Sequence, residues 1–368
     1  MHGAQVVGAA TRTSVWRWLH GLLFVLPLLV TAMLVCTPDT AHAHAVPCQR
    51  LDSWVALTPD AAARYRVAGW LCRPARPTAT VQVLMSGFTY DHTYWDSLPS
   101  EGRSYVRAAA DAGTAVYNVD RVGVGLSDRP PAEQVTAETE AYVAHQLVQR
   151  LRQPPFGYTR VVGVGHSYGS AVWMVEAATQ HDVDALVLTG YLHEPNTTQQ
   201  AVIAAGLHPA GDDQVFAGDP MPDGYVTTKT DTRGLDFYYL PGADRSVINR
   251  DERTKATGTT GERATMGLAR DPFYSRHITA PVLLIVGDHD ALSCDDAALP
   301  CSTAAQVCAR ERPYYPAGSQ VSVVVIPGAG HSIHGHRTAP LEFVVSNAWS
   351  RTALSAPGRA AYWPGRCG

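Results

Sequence analysis

The sequence is poor in the features that mark several classes of protein. Only 17% of its 368 residues are charged and the formal net charge is −4, so we expect no surface for a polyanion such as a nucleic acid. We find no internal repeat and no low-complexity tract, which argues against a repeat architecture. Hydrophobic residues make up 46% of the chain, enough for a large core. These properties predict a globular protein.

The first 45 residues have the composition of a secretory signal peptide. Arg12 and Arg17 precede an apolar run over residues 19–35, and small residues alternate with histidine over residues 41–45. A membrane anchor is the alternative, but Pro27 interrupts the run and the run is short for a spanning helix. We therefore predict cleavage after residue 43 or 45, a secreted mature protein, and no stable membrane anchor after cleavage.

The chain lacks any Cys-x-x-Cys pair, which argues against a zinc site. Six cysteines lie beyond the predicted leader, and an even number in an exported chain indicates disulfides. The spacing leaves their connectivity open. Proximity in the sequence favours Cys48 with Cys72 and Cys294 with Cys301. The pair that then remains is Cys308 with Cys367.

Beyond the leader, apolar runs alternate with helix-compatible segments. Two antiparallel edge strands are predicted at 53–57 and 65–71. The alternating elements that follow are a strand at 80–85, a helix at 104–112, a strand at 114–119, a helix at 138–151, a strand from 161, a helix at 171–178 and a strand at 184–188. After a gap come a strand at 281–286, a helix at 303–310, a strand at 321–326 and a helix at 341–350. This order predicts a mostly parallel, doubly wound sheet with helices on both faces.

The alternation stops between residues 191 and 276. This stretch is rich in Gly, Pro, Asp and Thr, and we predict only a short helix at 199–205. A disordered linker is the alternative, but such linkers contain few aromatic residues, whereas this stretch contains the group Phe237-Tyr238-Tyr239 and further aromatic residues. We therefore predict a cap or lid over 192–276, inserted between two core segments at 46–191 and 277–368.

The strand from residue 161 ends in Gly165-His166-Ser167-Tyr168-Gly169 and passes directly into a predicted helix. In a strand-turn-helix of this kind the serine lies at a strained apex, and small residues two positions away on either side let strand and helix pass closely. A dinucleotide-binding loop is the competing interpretation of these glycines, but Tyr168 stands where its third glycine is required. Ser167 is therefore the predicted nucleophile.

Two further strand ends carry the groups that such a serine needs. A serine hydroxyl is a poor nucleophile at neutral pH until an imidazole accepts its proton and a carboxylate orients that imidazole. Asp290 and His331 each follow a predicted parallel strand. Because the carboxyl ends of parallel strands meet at one edge of a sheet, we expect these two side chains to lie beside Ser167.

Alternative acids are present near Asp290. Asp288 ends the same strand, and Glu194 follows the strand that ends near residue 188. The Gly-x-x-Asp spacing favours Asp290, with Asp288 as the first alternative and Glu194 as a more distant one.

Three other histidines lie close to the predicted site residues. His334 and His336 follow His331 closely, and we interpret them as surface residues of a loop rather than as metal ligands. His166 precedes the nucleophile, and we interpret it as a packing or hydrogen-bonding residue because an adjacent side chain on the turn points elsewhere.

Five short motifs occur in a fixed order along residues 81–350. They are Ser86-Gly87-Phe88, Asp120-Arg121-x-Gly-x-Gly-x-Ser127, Gly165-x-Ser167-x-Gly169, Gly287-x-x-Asp290 and Gly328-x-Gly-His331. Together they make this part of the chain resemble the α/β-hydrolase superfamily, with Ser86 where histidine is common.

The resemblance implies the α/β-hydrolase fold and a role for each matching residue. Ser167 would be the nucleophile, Asp290 the acid and His331 the general base. The backbone N–H groups of Phe88 and Tyr168 would form the oxyanion hole. Asp120 and Arg121 would hold the loop beneath the site.

These observations predict a secreted serine hydrolase that cleaves a carboxylic ester or related acyl compound through an acyl-enzyme. The expected partner is a small-molecule acyl substrate, and the chemistry needs no metal or organic cofactor. Lactonases, peptidases and acyltransferases share the fold and remain alternatives. A non-catalytic binding protein is a further alternative, although the complete Ser, Asp and His set argues against it.

Overall fold

The structure is a computed structural model that describes residues 46–96, 102–295, 297–355 and 363–368. The predicted signal peptide lies outside these residues. The strands are β1 (Cys48–Arg50), β2 (Ser53–Val55), β3 (Tyr65–Val67), β4 (Gly69–Cys72), β5 (Thr80–Met85), β6 (Ala115–Val119), β7 (Arg160–His166), β8 (Ala185–Thr189), β9 (Leu207–Pro209), β10 (Tyr225–Thr228), β11 (Gly258–Thr259), β12 (Val282–Gly287) and β13 (Val321–Ile326). The helices are α1 (Tyr105–Asp111), α2 (Ala137–Arg152), α3 (Tyr168–Thr179), α4 (Thr197–Ala205), α5 (Arg233–Phe237), α6 (Arg245–Arg253), α7 (Thr260–Thr265), α8 (Pro272–His277), α9 (Ala304–Glu311) and α10 (Ala339–Ser355).

An eight-stranded sheet has the strand order β1-β4-β6-β5-β7-β8-β12-β13. Six neighbouring strands of this sheet are parallel to one another, namely β6, β5, β7, β8, β12 and β13. At one edge, β4 pairs antiparallel with β6, and β1 pairs antiparallel with β4. The predicted fold class, a mostly parallel α/β-hydrolase sheet, is confirmed.

Side chains of the central strands alternate between the two faces of this sheet. In β12, Val282, Leu284 and Val286 pack in one apolar cluster with residues of α2 and α3, whereas Leu283 and Ile285 pack in a second cluster with residues of α1 and α10. A parallel strand that is covered on both faces has no polar side, which explains the unbroken apolar run of its sequence. Helices therefore cover both faces, as the doubly wound prediction required.

The parallel arrangement brings several loops to one edge of the sheet. β5, β7, β12 and β13 all run in the same direction, so the loops that follow them leave at the same edge. These loops contain all of the predicted site residues.

The N-terminal strands differ from the prediction. The single strand expected at 65–71 is two strands: β3 pairs with β2 in a separate two-stranded sheet, and β4 joins the main sheet. The chain passes close to the main sheet at Gly69, where a Cβ would lie 2.5 Å from the Tyr117 ring. β1 was not predicted, and its Cys48 lies opposite Cys72 of β4, to which it is disulfide-bonded.

The segment between β8 and β12 has more regular structure than was predicted. It contains α4, slightly longer than the helix expected at 199–205, then four further helices from α5 to α8. β9, β10 and β11 form a three-stranded antiparallel sheet. These strands have two to four residues each, too few to produce a recognisable alternation of apolar and polar residues.

The structure joins six cysteines in three disulfides. Cys48–Cys72 and Cys294–Cys301 are the pairs that proximity favours, and Cys308–Cys367 is the pair that remained. Within the described ranges, no helix is both long enough and apolar enough to cross a membrane.

The three disulfides should contribute unequally to stability. Cys308 and Cys367 are separated by 59 residues, but Cys294 and Cys301 by only 7. The entropy that a cross-link removes from the unfolded chain grows with the loop it closes, so replacing the first pair by serine should lower the free energy of unfolding by about 2 kcal/mol more than replacing the second. Denaturant titrations of the two double variants measure the difference. An equal loss, or a larger loss for the short loop, would contradict this expectation.

Candidate active site

Ser167 lies at the sharp turn between β7 and α3. Its backbone has φ 51° and ψ −117°, a conformation that residues other than glycine rarely adopt. The turn is held by the neighbouring strand, because the Ser167 N–H donates to the carbonyl oxygen of Thr189 at 2.7 Å. The Ser170 hydroxyl makes a further bond to the same carbonyl at 3.1 Å.

Glycines flank the turn where the chain approaches itself most closely. A Cβ at Gly169 would lie 2.2 Å from the carbonyl oxygen of Met85 in β5. A Cβ at Gly165 would lie 2.6 Å from the carbonyl oxygen of Gly169. Both contacts are with backbone atoms, which cannot rotate away, so each position requires glycine.

The structure brings the three predicted side chains together in one hydrogen-bonded series. Nε2 of His331 lies 2.9 Å from Oγ of Ser167, and Nδ1 lies 3.0 Å from each carboxylate oxygen of Asp290. Asp290 is completely buried and His331 is 3% exposed. The carboxylate favours the tautomer in which Nδ1 carries the proton, which leaves Nε2 free to accept the proton of the serine hydroxyl.

The loop that carries Asp290 is held by its own backbone and by a disulfide. The Leu292 N–H donates to Oδ1 of Asp290 at 3.0 Å, and the Cys294 N–H donates to the Asp290 carbonyl at 2.8 Å. Cys294 is in turn bonded to Cys301. These contacts fix the carboxylate that faces His331.

The alternative acids lie elsewhere. The Asp288 carboxylate is 3.8 Å from Nε2 of His289 and is one quarter exposed. Glu194 accepts a hydrogen bond from the Tyr314 hydroxyl at 3.1 Å and is nearly half exposed. Neither carboxylate is hydrogen-bonded to His331.

The interpretation of His334 and His336 as surface residues is wrong, because both are buried. Nε2 of His336 accepts the N–H groups of Gly330 and Tyr239, both at 3.0 Å, and its Nδ1–H donates to the Ser332 carbonyl at 2.9 Å. This set of bonds requires a neutral ring, and burial lowers the pKa of His336 to about 4. His336 therefore orients the backbone on either side of His331.

The first of these two histidines has a different partner. Nε2 of His334 lies 2.9 Å from Oε2 of Glu342 in α10, and the ring stacks on Tyr94. Three histidines within six residues were the only signal for these roles, because their positions in the sequence do not distinguish a buried loop from an exposed one.

His166 has the packing role that was expected. Nδ1 lies 3.0 Å from the Thr189 hydroxyl, and the ring stacks on Tyr94 at 4.3 Å. Burial, together with the nearby ring of His331, holds the pKa of His166 well below its ordinary value. His166 is therefore neutral at physiological pH and does not bond to Ser167.

Of the two predicted oxyanion donors, Phe88 lies in the loop after β5 and Tyr168 is the first residue of α3. Within the part of the chain that the structure describes, neither the Phe88 N–H nor the Tyr168 N–H donates to another group. Gly87 lies directly against Ser167, since a Cβ at Gly87 would be 3.1 Å from Cβ of Ser167. Two backbone donors beside a serine hydroxyl can bind a negatively charged oxygen.

Arg121 fixes the orientation of the loop that carries Phe88. Its guanidinium donates to the carbonyl oxygens of Ser86 at 2.9 Å and Gly87 at 3.1 Å. In a trans peptide the C=O and N–H bonds point in opposite directions, so holding the Gly87 carbonyl also sets the direction of the Phe88 N–H.

The same guanidinium is buried between two carboxylates. Nη1 of Arg121 pairs with Glu140 of α2 at 2.6 Å and also with Glu262 of α7. The ring of Tyr168 lies beneath the guanidinium, 4.9 Å from it. The sequence motif indicated a structural arginine, but the pairing with Glu262, 141 residues away, had no sequence signal.

A second buried ion pair joins the 192–276 segment to the site. Arg233 of α5 lies 2.9 Å from Oδ1 of Asp251 in α6, and Oδ2 of Asp251 accepts the hydroxyl groups of Tyr90 at 3.0 Å and Tyr238 at 2.9 Å. Tyr90 follows β5 and also bonds to the hydroxyl of Ser332, next to His331. Sequence reasoning missed this network because its members are distant in the chain.

Ser167 and His331 open onto a cavity of about 400 Å³. Its lining is largely apolar and comes from both the core and the 192–276 segment. The apolar and aromatic lining residues are Phe88, Tyr90, Tyr168, Tyr191, Ala201, Ile203, Ala204, Leu207, Phe237, Met266 and Leu292. Such a cavity can hold a small ligand with an apolar portion.

Among the residues that the structure describes, two groups of side chains have the composition of a metal site, and both lie outside this cavity. They are Asp91 with His92 and Asp120, and His145 with Glu176 and Asp182. Asp120 is already engaged, because its oxygens accept the N–H groups of His92 and Leu126 at 2.8 Å.

Comparison with known proteins bears on the family and the fold. A family model described as "Alpha/beta hydrolase family" matches residues 82–346. A thermostable carboxyl esterase from Bacillus coagulans has a TM-score of 0.58 and 16% identity, covering 82% of this chain and 97% of that chain. A Paleococcus ferrophilus monoacylglycerol lipase has a TM-score of 0.55 and 16% identity, covering 79% and 99%. At these identities the structural likeness shows the fold. No curated protein has a matching sequence.

The close approach at the turn can be tested by adding one methyl group. Gly169→Ala should lower the free energy of unfolding by about 2–3 kcal/mol, because the new Cβ overlaps the Met85 carbonyl. Gly211→Ala is the matched control, since the nearest atom to its Cβ lies 3.6 Å away. Thermal and denaturant unfolding of both variants give the comparison, and equal stability of the two would contradict the packing described here.

Proposed function

This chain belongs to the alpha/beta hydrolase family, and from that membership we propose that it is a serine hydrolase that cleaves carboxylic esters or related acyl compounds. One observation carries the proposal. The Ser167 hydroxyl, the His331 imidazole and the buried Asp290 carboxylate form a continuous hydrogen-bonded series at a largely apolar cavity. This is the arrangement that activates a serine hydroxyl for attack on an acyl carbon.

In the first half of the reaction, Oγ of Ser167 forms a bond to the acyl carbon while Nε2 of His331 takes its proton. Asp290 stabilises the resulting imidazolium through Nδ1. The carbonyl oxygen becomes negatively charged and accepts the N–H groups of Phe88 and Tyr168, each typically worth about 3–4 kcal/mol of barrier. The imidazolium then protonates the departing alcohol, which leaves an acyl-enzyme.

In the second half, water replaces the alcohol. His331 takes a proton from the water as its oxygen attacks the acyl carbon, and the same oxyanion donors bind the second tetrahedral intermediate. The imidazolium returns its proton to Oγ of Ser167 as the acid product leaves. Lactones, peptides and acyl acceptors other than water would be served by the same groups, so these alternatives differ only in the ligand that the cavity admits.

We also propose that residues 192–276 act as a cap and that the protein functions outside the cell after removal of its signal peptide. The cap is supported by the cavity lining, to which α4 contributes Gln200, Ala201, Ile203 and Ala204. The extracellular location is supported by three disulfides, which persist in oxidising compartments.

The nucleophile is tested by Ser167→Ala. This change should lower kcat/KM for p-nitrophenyl esters of short and medium chain acids by about 10⁴-fold or more, since only uncatalysed and oxyanion-assisted hydrolysis would remain. Circular dichroism and the unfolding midpoint serve as controls for the fold. A folded variant that retains activity within tenfold of the wild type would reject Ser167 as the nucleophile.

The acid is tested by comparing two neighbouring aspartates. Asp290→Asn should lower kcat by about 10³–10⁴-fold, because the amide no longer holds the imidazole in the required tautomer. Asp288→Asn is the matched control, with an expected effect below about threefold because that side chain is partly exposed and is not hydrogen-bonded to His331. Steady-state kinetics on one ester give both values, and the reverse ranking would move the acid to Asp288.

A further inference from the structure

The active-site cavity has an uneven distribution of charge. Apart from the His331 imidazole, the described lining has two side chains that are charged at neutral pH. They are Arg263 of α7 and Arg270 in the turn that follows α7. Among the described lining residues there is no aspartate or glutamate. The cavity therefore presents positive charge in otherwise uncharged and mostly apolar surroundings.

Arg270 is held in a defined orientation. It is half-buried, its Nε–H donates to the Leu192 carbonyl at 3.1 Å, and its guanidinium lies over the Tyr191 ring, 4.5 Å from the ring centre. Its Nη1 lies near Gly267, another lining residue, since a Cβ there would be 3.9 Å away. Stacking and one hydrogen bond thus position the guanidinium beside the cavity, with donors still available to a ligand.

The other buried arginines near the site have carboxylate partners in the protein. Arg121 pairs with Glu140 and Glu262, and Arg233 pairs with Asp251. Neither lining arginine forms such a pair with any residue that the structure describes.

Two charges influence the Tyr191 ring in opposite directions: burial raises the pKa of Tyr191 to about 12, Arg270 opposes this rise, and the carboxylate of Glu311 adds to it. Its two oxygens are already engaged, accepting the N–H of His193 at 3.0 Å and bonding Nδ1 of the same residue at 2.7 Å. Among the described residues no carboxylate pairs directly with Arg270, and an anionic ligand would supply such a partner to this half-buried cation.

We propose that the preferred substrate is an ester that carries an anionic group, as in a half-ester of a dicarboxylic acid, and that Arg270 binds this group with Arg263 adding charge at the exposed side. The inference rests on the proposed function and deepens it. A planar guanidinium can donate two parallel hydrogen bonds to a carboxylate, and charge-assisted bonds of this kind are stronger than neutral ones. The apolar lining would contact the hydrocarbon part of the same molecule.

Two matched pairs of esters test the proposal, with the charge on either side of the scissile bond. On the acyl side, p-nitrophenyl hydrogen adipate is compared with methyl p-nitrophenyl adipate. On the alcohol side, 4-acetoxybenzoate is compared with its methyl ester. In at least one pair, kcat/KM should favour the anion by about 10- to 100-fold, and added salt should reduce the preference. A neutral preference in both pairs would overturn the proposal.

Variants identify the group responsible for the preference. Arg270→Gln should abolish it, Arg270→Lys should retain part of it, and Arg263→Gln should reduce it less because that side chain is exposed. Arg276→Gln is the matched control, an exposed arginine in α8 outside the cavity lining, and it should leave the preference unchanged. A preference that survives Arg270→Gln at full size would reject Arg270 as the binding group.

A binding measurement separates this proposal from the proposed function. Calorimetric titration of the Ser167→Ala protein with p-nitrophenyl hydrogen adipate should show binding that the added Arg270→Gln change weakens at least tenfold. If no ester is hydrolysed but this Arg270-dependent binding is seen, the anion site stands and the hydrolase proposal fails. If both members of each pair are hydrolysed equally, the hydrolase proposal stands and the anion site fails.

Discussion

The strained backbone at Ser167 is the constraint on which the site depends. A residue other than glycine with φ near 51° costs about 1–3 kcal/mol, so the surrounding structure must hold it in place. Gly165 and Gly169 allow β5, β7 and α3 to approach closely enough, and the Thr189 carbonyl fixes the turn. The conformation points the hydroxyl out of the sheet edge, where His331 can reach it.

Buried charge connects this turn to the rest of the molecule. Arg121 and Arg233 are both fully enclosed, and each joins the 192–276 segment to the loop after β5. Removing one partner from such a pair leaves an uncompensated buried charge, which typically costs about 3–5 kcal/mol. α5 and α7, which line the cavity through Phe237 and Arg263, are therefore fastened to the loop that carries Phe88. By contrast, α4 has no buried residue.

The sequence was most informative where local pattern decides structure. The central parallel strands were predictable because burial on both faces requires continuous apolar runs, as in Val282–Gly287. Ser167, Asp290 and His331 were proposed because each follows such a strand, and the structure places them within hydrogen-bond distance of one another. Where a residue's environment is set by distant parts of the chain, the same reasoning failed.

The failures have physical causes. His334 and His336 were predicted to be exposed because histidines close together in a loop commonly lie on the surface. Both are buried instead, since His334 bonds to Glu342 of α10 and His336 accepts the Tyr239 N–H. The partners of Arg121 and Arg233 come from elements far apart in sequence, so no spacing rule connects them. The short strands β9, β10 and β11 depend on pairing with one another rather than on their own periodicity.

We propose that His331 activates Ser167, and reaction with a fluorophosphonate probe tests this activation most directly. Such a probe modifies a serine that a neighbouring base activates. Peptide mass spectrometry of the folded, disulfide-intact protein should find the adduct on Ser167, and His331→Ala should lose it. No adduct on Ser167 in the wild type, or an adduct that forms equally fast without His331, would contradict the account.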